Sequence, residues 1–133
     1  MPIEWKPEFA TGVRDIDLQH RELIELINDL ERATLAGATE RVLGEVLPRL
    51  AGYALFHFAT EEHLIPATAQ AVAHAERHAR EHREFTRTVE RLAARLGGMP
   101  AMPADLLELR DYLEHWLLEH ILGTDRELAG LLS

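Results

Sequence analysis

Cysteine is absent from the 133-residue chain. That excludes disulfides, thiolate-held metals and cysteine-ligated iron–sulfur clusters, so any metal must be held by histidine and carboxylate side chains. Aromatic residues are scarce, at 6%, and Leu and Ala outnumber Val and Ile, a balance that favours helix over sheet. No apolar run approaches the roughly 20 residues of a membrane span. The N-terminal MPIEWKPEFA also lacks the basic and apolar regions of a secretory signal, so a cytoplasmic protein without a membrane partner is expected. Basic residues are outnumbered, 14 Lys and Arg against 23 Asp and Glu, for a formal net charge of -9. With no basic patch to displace phosphate counterions, a nucleic-acid partner is not expected.

What is present in abundance is amphipathic helix. The length suits one domain spanning residues 1–133, and apolar spacing divides it into four segments. The first runs from about Ile16 to Leu35 with Ile16, Leu23, Ile24, Ile27 and Leu30 on one face, and Gly37 is its stop signal. The second, from about Thr39 to Leu64, carries Leu43, Leu47, Leu50, Ala54, His57 and Glu61 in line; Pro48 should kink it or delay its start. The third spans roughly Thr68 to Leu96, with His78, His82, Phe85, Val89 and Leu92 aligned, and GGMPAMP at 97–103 breaks it. The fourth opens near Ala104 and carries Leu106, Leu109, Leu113, Trp116, Leu117, His120 and Ile121. Four helices with short connections predict an all-α, up-down-up-down bundle.

Each segment has at least one histidine on its apolar stripe: His20, His57, His78 with His82, and His120. One such histidine is ordinarily a satisfied core residue. Four helices doing so together, with Glu61 one turn from His57, point to polar groups that satisfy one another or bind something, because unpartnered burial costs several kcal/mol. Residues four apart project from one face about 40° out of line, which suits His57 with Glu61, and His78 with His82, as metal ligands. Imidazole and carboxylate without sulfur favour iron, manganese or zinc.

Spacing tests two known site types. A zinc-protease helix requires H-E-x-x-H, yet Ala75 and Ala79 follow His74 and His78. A ferritin-like di-iron site requires E-x-x-H on two helices, and the residues three before the histidines are Asp17, Ala54, Thr60, Ala71, Ala75, Ala79, Tyr112 and Leu117, with no Glu among them.

The chain instead resembles the hemerythrin family in its single-domain bacterial form. GVRDIDLQH at 12–20 is similar to that family's first-helix signature, HFATEE at 57–62 to its second and WLLEHILGTD at 116–125 to its last, in order along almost the whole chain. The resemblance implies a ligand set of His20, His57, Glu61, a third-helix H-x-x-x-H pair, His120 and Asp125. It implies two non-haem irons bridged by Glu61, Asp125 and a hydroxide, and a non-helical N-terminal arm that includes Trp5. The third-helix pair is His78 and His82, by the Phe three residues on at Phe85, or else His74 and His78, which a turn close to Pro66 would favour. The former is the expectation, leaving His74 exposed or near the bundle end. His120 and Asp125 lie five apart, about 140° round an ideal helix, and only the resemblance pairs them. PATAQ at 66–70 replaces the family's Gly-Tyr-Pro turn, and Ile65 its usual Met. His63 and His115 lie off the ligand faces and are expected at the surface.

On that assignment one iron reaches six ligands and the other, bearing His20 and His57, only five, so a small molecule has an open position. The resemblance implies that dioxygen binds there, is held as hydroperoxide and is released unchanged, in storage, delivery or sensing. The absence of a signalling domain within the chain favours the first two. Phe58, Trp116, Leu117 and Ile121 are expected to line the oxygen pocket. The alternative is a di-iron enzyme acting on peroxide, nitric oxide or dioxygen; a bundle with structural zinc or no metal is the third reading.

Overall fold

The structure, a computed structural model, describes residues 2–97 and 103–132. Four helical rods form a bundle, and no strand occurs among the described residues. The first rod, α1, is Arg14–Leu35. The second is continuous but changes pitch, from α2 (Thr39–Arg41) through a π-helical turn (Val42–Val46) to α3 (Leu47–Leu64). The third, α4, is Val72–Gly97, entered through a 3-10 turn at Ala69–Ala71. The fourth runs from α5 (Pro103–His120) through a second π-helical turn (Ile121–Asp125) to α6 (Arg126–Leu132). Successive rods pack side by side, and α5 closes the ring against α1. No helix among the described residues is long and apolar enough to cross a membrane.

Local chemistry accounts for the rod ends. Asp17 clasps the start of α1, accepting from the Thr11 amide at 2.8 Å, the Thr11 hydroxyl at 2.8 Å and the Gly12 amide at 3.1 Å, with its negative charge at the positive end of the helix dipole. At the other end Gly37 takes φ 75°. There the Ala38 amide bonds Ala33 O at 2.9 Å and the Gly37 amide bonds Thr34 O at 3.1 Å. This is a Schellman cap at the predicted stop. Pro48 does not delay the second rod, which is already helical from Thr39. The proline is the second residue of α3, directly after the π-helical turn at Val42–Val46, where the change of pitch accommodates the missing donor that a regular ladder would register as a lost bond. The break expected at 97–103 falls mostly outside the described residues; α4 ends at Gly97 and α5 begins at Pro103.

The N-terminal arm packs along the bundle. Asn28 bonds both ways with Ile3, donating to its carbonyl at 2.9 Å and accepting from its amide at 2.8 Å. Trp5 meets Phe9 edge-on and carries the Arg21 guanidinium 4.5 Å from its ring centre. The core beneath is aliphatic, with Leu30, Leu50, Leu106 and Leu113 fully enclosed. Leu113 is fully buried against neighbouring rods, so Leu113→Ala should lower the unfolding free energy by about 2–5 kcal/mol. Denaturant titration with an unchanged m-value would measure it.

Candidate metal centre

The apolar interior is interrupted where the four rods come closest to sharing one height. α1 supplies His20, α3 supplies His57 and Glu61, α4 supplies His78 and His82, α5 supplies His120, and the second π-helical turn supplies Asp125. All seven are buried. Two groups emerge whose ligand-type atoms lie within 4.8 Å of one another: Glu61, His78, His82 and His120, and His20, His57, Glu61 and Asp125.

The two carboxylates lie between the groups. Asp125 Oδ1 is 3.0 Å from His78 Nε2 and 3.0 Å from His120 Nε2, while Oδ2 is 2.7 Å from His20 Nε2. Glu61 Oε1 is 2.9 Å from His57 Nε2 and 3.4 Å from His82 Nε2, and its Oε2 is 3.5 Å from His78 Nε2. Each carboxylate therefore approaches histidines of both groups.

Asp125 reaches the cluster because of its backbone. A π-helical turn bonds each residue to the fifth one on, so a residue and its fifth successor stack on one face. Ile121–Asp125 is such a turn. His120 and Asp125, far apart on a regular α-helix, meet at 3.0 Å on this one.

His74 stands one layer back. It sits in the first turn of α4, near the bundle end, yet it is buried rather than exposed. Its Nε2 is 2.9 Å from His78 Nδ1, and it does not join either group of converging atoms. His63 and His115 are at the surface. Ile65, just past the end of α3, is half-buried.

Four of the five outward ring nitrogens have their own partners, and His20 Nδ1 is buried without one. His57 Nδ1 donates to Gln19 Oε1 at 2.7 Å, and Gln19 Nε2 donates to Thr60 at 3.2 Å. His82 Nδ1 donates to Glu62 at 3.2 Å. His120 Nδ1 donates to Glu81 at 3.1 Å, and Glu81 also accepts from Thr124 at 2.7 Å and from Arg77 at 2.9 Å. Spacing along the sequence gives no sign of these partners, because each bond crosses from one rod to another. The single local clue is adjacency: Gln19, Glu62 and Glu81 each neighbour a predicted ligand.

With Nδ1 protonated toward a carboxylate, a neutral imidazole presents a bare lone pair at Nε2. His82 Nε2 and His120 Nε2 face each other at 3.2 Å, so without a cation between them two lone pairs would collide. His20 Nε2, His57 Nε2, both Glu61 oxygens and Asp125 Oδ2 are buried without hydrogen bonds. Buried groups of this kind are normally satisfied, and these converge on one another. The donor set thus fits metal ions. The metal-free electrostatics express the same demand. Burial acts on His78 to disfavour its charge, but Asp125 and Glu61 overcome this and raise its pKa to about 9. Burial likewise opposes ionisation of Glu81, yet His120, Thr124 and Arg77 lower it to about 2.

Aromatic rings brace the cluster. Phe58 stacks on His82 with centroids 3.9 Å apart, and Trp116 stacks on His120 at 4.5 Å. Phe58 and Trp116 also face a small cavity of about 10 Å³, lined besides by Leu23, Ile27, Leu50, Ala54, Phe85, Leu113 and Leu117. Leu23, Ala54 and Leu117 lie one turn from His20, His57 and His120 respectively. Phe58, Trp116 and Leu117 line this cavity, and Ile121 is buried in the core and is not among its lining residues.

A four-helix bundle with a buried imidazole and carboxylate cluster at its centre defines a class of metal-binding bundle. The chain belongs to the hemerythrin family: the family described as the hemerythrin HHE cation binding domain matches residues 11–132. The chain is 32% identical over 127 residues to a bacteriohemerythrin of Stenotrophomonas maltophilia, covering 94% of this chain and 78% of that protein. It is 32% identical over 121 residues to one of Pseudomonas aeruginosa, covering 91% and 75%, and 29% identical over 131 residues to one of Clostridium acetobutylicum, covering 92% and 95%.

Proposed function

We propose that the chain binds dioxygen reversibly at a centre of two non-haem irons, held by His20, His57, Glu61, His78, His82, His120 and Asp125. One observation carries this reading. The seven donors divide unequally around Glu61 and Asp125, each of which approaches histidines of both groups, with three imidazoles on one side and two on the other. When bound, the iron pair supplies the electrons that dioxygen takes up and returns.

The chain's own residues then have separable tasks. Glu61 and Asp125 neutralise charge at the shared positions. Gln19, Glu62 and Glu81 hold ring nitrogens so that Nε2 points inward, the ordinary role of outer partners at metal sites. Phe58 and Trp116 fix the planes of His82 and His120. Leu23, Ala54 and Leu117, one turn from His20, His57 and His120, form a dry wall that keeps water and mobile protons from the centre, which distinguishes a carrier from a protein that only consumes oxygen.

Metal analysis with optical spectra tests the reading. The expected result is two irons per chain and an absorption band that appears with oxygen and vanishes when oxygen is removed. Rapid decay of the band with steady consumption of a reductant would make the chain a di-iron enzyme, and a colourless protein free of iron would overturn both readings.

Leu117 gives a sharper test of the dry wall. Leu117→Asn keeps a similar volume but places an amide in the cavity lining, at a cost in stability of about 1–3 kcal/mol. Autoxidation of the oxygen-bound protein should accelerate while iron content stays at two per chain. An unchanged autoxidation rate in folded, fully loaded Leu117→Asn would remove Leu117 from the wall.

A further inference from the structure

Among the described residues, His78 differs from the other cluster histidines in what its outward nitrogen meets. His57 meets an amide, His82 and His120 meet carboxylates and His20 Nδ1 has no hydrogen bond, but His78 meets a second imidazole. Behind that imidazole stands Glu127 of α6, 2.8 Å from His74 Nδ1, and Glu127 is held in turn by Arg77 at 3.0 Å.

The direction of this chain of bonds follows from what each group can do. An ionised carboxylate only accepts, so His74 Nδ1 carries the hydrogen facing Glu127. Neutral His74 then has a lone pair at Nε2, which accepts from His78 Nδ1 at 2.9 Å. His78 is left with its own lone pair at Nε2, directed at Asp125 Oδ1 and Glu61 Oε2. The orientation of a central donor is thereby set from the protein surface.

We propose that His74 is a positioning residue for the metal centre: with Glu127 it fixes the tautomer of His78 and strengthens His78 Nε2 as a donor. This inference rests on the two-metal reading given above. It completes a difference between the two sides of the cluster. The three imidazoles that share one side are backed by anionic groups, His82 by Glu62, His120 by Glu81 and His78 by Glu127 acting through His74. His57, on the other side, is backed by the neutral amide of Gln19. Anionic outer partners make imidazole a better donor, so the metal on the three-imidazole side is the more firmly held.

The experiment is release of ferrous iron from the loaded protein to a chromogenic chelator under anaerobic conditions. The wild type should release iron in two phases, the slower belonging to the three-imidazole side. His74→Phe keeps an aromatic ring but offers no acceptor, and should weaken retention of the slow iron by about 10–100-fold, the usual effect of losing an outer partner. His74→Gln sets an amide oxygen close to where Nε2 stood, and should keep retention near wild type. This pair separates the acceptor from mere packing, since both substitutions disturb packing and only one removes the acceptor. Glu127→Leu, at a half-exposed position, loosens the same chain of bonds without entering the core, and should speed the slow phase even if His74→Phe fails to fold. Slow release unchanged in His74→Phe or Glu127→Leu, or His74→Gln falling as far as His74→Phe, would overturn the inference. Wild-type protein that binds fewer than two irons would instead overturn the two-metal reading, whatever the variants do.

Discussion

Glu61→Ala should leave the protein with less than one iron per chain. Glu61 is fully buried, its two oxygens approach His57, His78, His82 and, at 3.6 Å, His120, so histidines of three rods, and neither has a hydrogen bond of its own. On the proposed two-iron reading its removal deletes a shared ligand from both metal positions and leaves imidazoles facing a void. Two losses should therefore appear together. The first is metal content, read by elemental analysis after anaerobic loading. The second is stability of the metal-free fold, for which loss of one partner from a buried ionic set costs on the order of 3–5 kcal/mol. Glu61→Gln separates the two effects, because it keeps the volume and can still hydrogen-bond, yet is a far poorer bridge. It should fold more stably than the Ala variant and still fail to retain two irons. A Glu61→Ala protein with two tightly held irons would exclude Glu61 from the centre.

The second large effect concerns the third helix, where His74, His78 and His82 repeat every fourth residue. His82→Ala should reduce iron from two per chain to about one, because His82 Nε2 lies 3.2 Å from His120 Nε2 and 3.4 Å from Glu61 Oε1, within the three-imidazole group. The ring also carries the stacked face of Phe58, so the cavity wall should loosen and the optical band broaden. Loss of one iron with an altered spectrum would confirm His82 as a ligand. Two irons retained in His82→Ala, with His74→Phe losing one outright, would move the ligand pair to His74 and His78.

Some parts of the centre are legible because they obey helical spacing. His57 with Glu61 and His78 with His82 are four apart, and a helix places such pairs on one face whatever surrounds it. Burial could be inferred for the same reason: these residues continue stripes of Leu and Ile, and a stripe that is apolar over several turns faces the core. Gly37 is legible because a helix that ends in a left-handed residue strongly prefers glycine.

Other features depend on relations between rods, to which spacing is blind. His74 continues the same ladder as His78 and His82, and periodicity alone cannot separate them. Their division into inner and outer positions depends on where α4 begins relative to α3, and on Glu127 arriving from α6 to occupy the outer nitrogen of His74. The partners Gln19, Glu62 and Glu81 belong to the same class of fact. So does the environment of Ile121, which is buried in the core where the helix changes pitch.

Pattern and composition by themselves determined an all-α bundle of four rods, a sulfur-free donor set and a polar stripe on each inner face. These are properties of periodicity and of side-chain chemistry, which act over one or two helical turns. Tertiary structure decided that Asp125 belongs with His120, that three imidazoles gather on one side of the carboxylates and two on the other, and that the outer partners are mostly anionic on one side and neutral at His57 on the other. The reason is the same in each case. The π-helical turn at Ile121–Asp125 is a single extra residue in a helical ladder, and its stability depends on what the turn contacts rather than on the residues that form it. Only the packed bundle supplies those contacts.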